Sequence, residues 1–127
     1  MYNKIKPYIG GGDIMNCIFC KIINGEIPSQ KVYEDDRILA FKDINPAAPI
    51  HIVIVPKEHI SSANEINDSN KDVVGHIFEI AAALAKENGI AERGYRIVNN
   101  CGEEGGQSVN HLHFHLIGGR NLQWPPG

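Results

Sequence analysis

His111-Leu112-His113-Phe114-His115-Leu116-Ile117 is the stretch on which the reading of this chain turns. Histidine alternates with apolar residues, and side chains along a β-strand point alternately to opposite faces. The run therefore predicts a strand over His111–Ile117, with three imidazoles on one face and Leu112, Phe114 and Leu116 turned into a core. Same-face neighbours on a strand lie about 6.5–7 Å apart. Packing gives no reason for three imidazoles in a row at that spacing. A chance run of surface histidines and a purely metal-binding cluster are the alternatives, since imidazole is the commonest metal ligand. Catalysis is favoured over both, because imidazole is largely neutral near pH 7 and can then attack an electrophile.

The segment just upstream supports that choice. Asn99-Asn100-Cys101-Gly102-Glu103-Glu104-Gly105-Gly106-Gln107-Ser108 is a glycine-rich polar loop leading into the histidine strand. Glycines let backbone N–H groups approach an anion closely and form a phosphate-binding nest. By itself such a loop reads as an ordinary turn; beside aligned histidines it reads as a phosphate cradle. Glu103 and Glu104 would repel phosphate, so they are expected to point away from it.

Further out, the periodicities predict the remaining elements. Asn16–Asn24 reads as a short helix stopped by Gly25. Lys31–Glu34 and Arg37–Lys42 read as strands about an Asp35-Asp36 turn, and Ile50–Val55 is a β-branched run ended by Pro56. Lys71–Asn88 reads as a long helix, with Asp68, Ser69 and Asn70 as cap candidates and Gly89 as the exit. Its Val73, Ile77, Ile80, Ala81 and Leu84 form one apolar stripe, and Val74, Phe78, Ala82 and Ala85 widen it. Gly75 weakens that helix by about 1 kcal/mol against Ala. So wide an apolar arc suggests packing beyond the helix's own sheet, hence a subunit interface. Tyr95–Asn99 completes an α+β arrangement with a largely antiparallel sheet.

The 127 residues suggest one domain. Residues 1–14 end in Gly10-Gly11-Gly12-Asp13 before Met15 and read as an N-terminal extension, leaving a domain over 15–127. Twelve basic against fifteen acidic side chains give a net charge of −3, which argues against non-specific nucleic-acid binding. No apolar stretch approaches the roughly 18 residues of a membrane helix, and no signal-peptide core is visible. Three cysteines, an odd number, fit a reducing compartment, so a cytoplasmic location is expected. Cys17-Ile18-Phe19-Cys20 supplies half of a tetrahedral zinc site. A thioredoxin-like dithiol is the weaker reading, as no strand precedes it; a pair of unmetallated thiols is the third. Cys101 reads as an ordinary free thiol, His51 as part of a network behind the site, and His76 as a surface residue.

Residues Gly105–Ile117 resemble the signature of the histidine triad family, three histidines each followed by apolar residues. The ending Gly118-Gly119-Arg120-Asn121-Leu122-Gln123-Trp124-Pro125-Pro126-Gly127 resembles its Hint branch, as do Glu26-Ile27-Pro28, Glu34-Asp35-Asp36 and Val55-Pro56-Lys57-Glu58-His59-Ile60. The resemblance runs from about Asn16 to Gly127. It implies a five-stranded, mainly antiparallel sheet with one long and one short helix, paired in a homodimer into a ten-stranded sheet. It also implies a purine nucleoside phosphoramidase, which cleaves a P–N bond through a nucleotidyl-histidine and releases an AMP- or GMP-type nucleotide.

Carried over residue by residue, the resemblance makes His113 the nucleophile, His115 the contact to the phosphate oxygens and Ser108 the residue at the leaving amine. Asn100 and the Gly106 backbone would complete the phosphate cradle, and Asp43 would accept the ribose hydroxyls. Ile18, Phe19, Ile22, Phe41, Ile44 and Val53 would form the slot for the base, with plain core packing as the alternative for each, while Asp43 taken alone reads more readily as a turn residue. Structural Zn2+ would sit on Cys17, Cys20, His59 and His111, with no cofactor for catalysis. Trp124 would reach toward a neighbouring site in the dimer and help select the leaving group. Two other readings stay open: a purine nucleotide sensor with residual catalysis, and a dinucleoside polyphosphate hydrolase or nucleotide transferase.

Overall fold

The computed structural model describes residues 16–127. The proposed extension over 1–14 and Met15 lie outside the described residues. Helix α1 spans Ile18–Ile23, and helix α2 spans Lys71–Glu87. Strands β1 (Lys31–Glu34), β2 (Ile38–Lys42), β3 (Ile50–Pro56), β4 (Tyr95–Val98) and β5 (Phe114–Gly118) form one sheet in the order β1-β2-β3-β5-β4. Every neighbouring pair is antiparallel. The expected α+β class, the five strands and the two helices are all present.

Strands β2 and β3 read as nearly continuous apolar runs because they are covered on both faces. Ile38, Ala40, Ile52 and Ile54 turn toward α2 and pack with Val73, Ile77, Ala81 and Leu84. Leu39, Phe41, Val53 and Val55 turn the other way and pack with Cys17, Phe19, Cys20 and Ile22 around α1. Period-two geometry thus divides one run between two cores. Helix α1 has six residues, too few to be stable alone, and this second core holds it in place.

The ends of the elements follow local chemistry. The Cys17 sulfur accepts the Cys20 N–H and caps α1, while Gly25, at φ +80, follows the last turn as expected. Asn70 is the N-cap residue of α2, but its side chain makes no cap bond. It accepts the Asn67 N–H and donates to the Glu65 carbonyl, bracing the loop before the helix. Gly75 faces open space on α2 and does not interrupt it.

The histidine strand is shorter than its periodicity suggests. Strand β5 starts at Phe114, so His111 and His113 precede it. Alternation nevertheless continues upstream, because Leu112, Phe114 and Leu116 all join the core beneath α2. The Leu112 N–H bonds the Ile60 carbonyl rather than a strand partner, and this contact replaces the missing ladder.

Candidate active site and metal centre

His115 pairs with Val53 across the sheet, which places it on the α1 face. His113 lies beside it, their ring centroids 5.1 Å apart. His111 is fully buried and His113 is 2% exposed, whereas His115 is half-buried. Phe19 of α1 stands edge-on to both His111 and His113 and also to Phe41. The short helix is thus the element that encloses the imidazoles.

Backbone carbonyls assign the proton on each of two rings. His113 Nδ1–H donates to its neighbour, the His111 carbonyl, at 2.7 Å, so Nε2 keeps its lone pair. His111 Nε2–H donates to the Pro56 carbonyl at 2.8 Å, so here Nδ1 keeps the lone pair. His115 is set through a relay. The Ala47 N–H donates to His51 Nδ1 at 3.0 Å, leaving the His51 proton on Nε2. That proton is offered to His115 Nδ1 at 2.8 Å, so His115 carries its own proton on Nε2. His113 therefore presents a lone pair and His115 an N–H donor.

Burial pushes His113 below the ordinary imidazole range, against a partial offset from its bond to the His111 carbonyl. Burial, reinforced by the neighbouring His113 and His51 rings, lowers His115 to about 4. Both rings are then neutral at pH 7, which the two opposite tautomers require.

These histidines open on a cleft of about 210 Å³. Ile18, Phe19, Ile22, Phe41 and Val53 form its apolar wall, with Ile44 at the exposed rim. Asp43, Ser108, His113 and His115 supply its polar end. Asp43 is also the turn residue its context suggests, for one carboxylate oxygen accepts the Asn45 N–H at 2.8 Å. The other oxygen lies 3.4 Å from His51 Nε2.

A second cluster lies behind α1. Cys17, Cys20, His59 and His111 bring one ligand atom each within 4.8 Å of one another. Cys17 Sγ is 3.4 Å and Cys20 Sγ 3.6 Å from His111 Nδ1, Cys20 Sγ is 3.3 Å from His59 Nδ1, and the two Nδ1 atoms are 3.2 Å apart. Ligands on a tetrahedral zinc with ordinary Zn–N and Zn–S bonds stand roughly 3.3–3.8 Å apart. The His111 Nδ1 lone pair already points into the cluster, because Pro56 holds the other nitrogen's proton. Burial would raise the Cys17 thiol, but contact with the His111 and His59 rings and the bond from the Cys20 N–H bring it below its ordinary value. Burial and Cys17 itself push Cys20 up. The pair thus holds one negative charge readily, and a second needs a cation. The residues fit zinc.

A family model described as "Scavenger mRNA decapping enzyme C-term binding" matches residues 16–123. An uncharacterized HIT-like protein of Buchnera aphidicola is 51% identical over 108 residues, covering 85% of this chain and 95% of the relative. A 14 kDa zinc-binding protein of Zea mays is 48% identical over 112 residues, covering 87% of each chain. The crystal structure of a HIT family hydrolase from Legionella pneumophila superposes with a TM-score of 0.87 at 51% identity, over 88% of this chain and all of that one. The chain belongs to the histidine triad family. A second member, the histidine triad nucleotide-binding protein of Candida albicans, superposes with a TM-score of 0.74 at 37% identity, over 86% of this chain and 82% of that one.

Within the triad framework, most expected site residues converge and a few do not. Ile18, Phe19, Ile22, Phe41, Asp43, Ile44, Val53, Ser108, His113 and His115 share the one cleft, and Cys17, Cys20, His59 and His111 share the other cluster. Asn100 and Gly106 line neither. The Asn100 amide donates to the Gly105 carbonyl, and the Gly106 N–H donates to the Glu103 carbonyl at 3.0 Å, so both are engaged within the loop. A Cβ at Gly105 would collide with the Cys101 carbonyl oxygen, and Gly106 sits at φ +80; both glycines are there for this tight turn. Glu103 and Glu104 are exposed, and Cys101 is a half-buried free thiol.

His51 stands behind the site as expected, but His76 is no free surface residue. It is half-buried and bonds the Asp35 carboxylate at 2.6 Å, tying α2 to the β1–β2 turn. Residues missed in the sequence include Asn99, whose amide donates to the His113 carbonyl, and Gln107, which braces the loop through the Ser61 and Val109 carbonyls. Ile27, Pro28, Ser29 and Lys42 also line the cleft. Their only sequence signal is adjacency to Glu26-Ile27-Pro28 and to Phe41-Lys42-Asp43, which names no role. Trp124 is 80% exposed and lines neither cleft nor cluster.

Proposed function

We propose that this protein is a hydrolase of purine nucleoside 5′-phosphoramidates, such as adenosine 5′-monophosphoramidate or AMP-lysine. The observation that carries the reading is the pair of opposite tautomers in one cleft: His113 with a free Nε2 lone pair, His115 with an Nε2–H. That is the division of labour a phosphoryl displacement needs, a nucleophile beside a donor to the charged oxygens. Histidine triad relatives named as a hydrolase and as a nucleotide-binding protein support it.

In this reading the base lies between Phe19, Ile22, Phe41 and Val53, with Ile18 and Ile44 at the rim. Asp43 accepts the ribose hydroxyls; a carboxylate has about four acceptor sites, and the Asn45 N–H occupies one. His113 Nε2 attacks the α-phosphorus while His115 donates to a non-bridging oxygen. The P–N bond breaks, its electron pair leaves with nitrogen, and the amine takes up a proton from solvent, with the Ser108 hydroxyl hydrogen-bonded to it; the water that adds next returns that proton to solvent. Water then adds to phosphorus, the P–His113 bond breaks, and a nucleoside monophosphate departs. Net, one water is consumed for each amine and nucleotide released. Asn100 serves by holding the loop at Gly105, with Gly106 as its hinge.

Zinc bound to Cys17, Cys20, His59 and His111 is structural and supplies no step of the reaction. Thiolate ligands persist in a reducing compartment, so the cytoplasm is the location proposed. Among the described residues no helix is long and apolar enough to cross a membrane. A homodimer is supported by Phe78, 46% exposed on α2, and by β4, with exposed Tyr95 on it, at an open edge of the sheet. Joining two such edges would yield the ten-stranded sheet.

The test is to incubate the protein with an α-³²P-labelled adenosine phosphoramidate, quench, and locate the label. A labelled His113 is expected, and His113→Ala should lower turnover roughly a thousandfold or more. Tight AMP binding with no turnover would instead make the protein a nucleotide sensor. Faster cleavage of a dinucleoside polyphosphate than of any phosphoramidate would move it to that substrate class.

A further inference from the structure

A second cleft, of about 250 Å³, adjoins the first and shares Ile18 and Ser108 with it. Asn16, Cys17, Val109 and Asn110 complete its lining. Asn110 is exposed and directly precedes His111. Nothing in the nucleotide reading uses this space. Resting on that reading, we infer that this cleft is the subsite for the substituent of the leaving amine, and that Asn110 is its specificity-determining residue.

The argument is one of position, size and chemistry. Ser108 meets the leaving nitrogen in the first cleft, so a substituent on that nitrogen starts at the wall the two clefts share. Water occupies about 30 Å³, so the space holds roughly eight waters. That is far more than ammonia needs, and below the 300–1,000 Å³ of pockets that enclose whole drug-sized ligands. Among the described residues no Asp, Glu, Lys or Arg lines it, and the Cys17 sulfur is engaged in the thiol–imidazole cluster. The Asn110 carboxamide offers both donors and an acceptor, while Ile18 and Val109 offer apolar contact. The occupant that matches is a compact amine bearing an uncharged amide and a short apolar side chain, as in an amino-acid amide.

Two substrates separate this from the chemistry itself: the unsubstituted adenosine 5′-phosphoramidate and the one built on alaninamide. In Asn110→Ala, the ratio of kcat/KM for the alaninamide compound to that for the unsubstituted one should fall roughly threefold to tenfold, the weight of one hydrogen bond. Zinc content equal to wild type certifies that the neighbouring His111 is undisturbed. In Asn110→Asp, a compound built on lysinamide through its α-nitrogen should gain over the alaninamide compound, because the new carboxylate attracts its ammonium. Ratios unchanged in both variants would overturn the subsite while leaving the phosphoramidase standing. If wild-type protein hydrolyses neither compound, the phosphoramidase reading fails, and the cleft is then judged by binding. The alaninamide compound must bind more tightly than AMP in wild type and lose that margin in Asn110→Ala; equal margins overturn the subsite.

Discussion

His51 accepts the Ala47 N–H and passes its own proton toward His115, so the tautomer of a ring in the cleft is decided by a residue outside it. His51 is a positioning residue: with phenylalanine in its place, His115 Nδ1 loses its donor and the ring no longer presents a fixed Nε2–H. His51→Phe should lower kcat about tenfold with a smaller change in KM, and asparagine, which keeps an N–H donor, should restore part of it. Steady-state kinetics on both variants check this. The Asp35–His76 pair acts on stability instead. Burial pushes Asp35 up, but the bonds from His76, the Arg37 N–H and the Tyr33 hydroxyl hold it well below the usual carboxylate range. The Asp35 bond chiefly raises His76, against a smaller effect of burial. A lowered carboxylate stabilises above its unfolded pKa of about 4, and a raised imidazole stabilises below its unfolded value of about 6.5. The contribution is therefore complete between those limits, fades as acid protonates Asp35, and fades again as pH climbs through the raised His76 value. Urea midpoints measured from pH 4 to 9 should fall on the alkaline side in wild type and flatten there in His76→Gln.

At the scale of elements, α1 joins the two centres. Its first turn carries Cys17 and Cys20 into the thiol–imidazole cluster, and its Ile18, Phe19 and Ile22 wall the cleft onto which His113 and His115 open. Six residues hold helical shape only with outside support; the second core gives it, and the proposed zinc on the cluster would share that task. Removing zinc with a chelator, or substituting Cys20→Ser, should lower the melting temperature and weaken AMP binding together. A structural zinc can contribute many kcal/mol in small domains; here two cores remain, and a drop on the order of 5–10 °C is expected. Calorimetry with metal analysis on the same samples checks it. Unchanged AMP affinity in zinc-free protein would mean that α1 is held by the second core alone.

At the scale of the molecule, the sheet leaves β4 as an open edge, and α2 presents Phe78 away from the core. Phe78 also packs edge-on against Phe114, its centroid 5.6 Å away, so its ring serves the fold and the outer face at once. Phe78→Glu should convert the proposed dimer to monomer in sedimentation equilibrium, since a buried carboxylate facing its own symmetry copy is strongly unfavourable. A wild-type protein that sediments as a monomer at micromolar concentration would remove the dimer.

Local pattern was enough for the elements and for the ligand and cleft types. Alternation in Leu112, Phe114 and Leu116 predicted which side of the histidine segment is buried, and helical spacing in Val73, Ile77, Ala81 and Leu84 predicted the stripe on α2; both periodicities are properties of backbone geometry. The resemblance from about Asn16 to Gly127 named the residues expected in both centres, and fourteen of those sixteen positions converge in one cleft or the other cluster. What the chain order could not show is where donors and acceptors from distant segments meet. Pro56 selects the free nitrogen of His111 from 55 residues away, and His51 that of His115 from 64. The same closure brought His76 to Asp35 and opened the cleft beside Asn110. Periodicity is written along the chain; a proton's place on a ring depends on which carbonyl or imidazole the folded sheet sets within 3 Å of it.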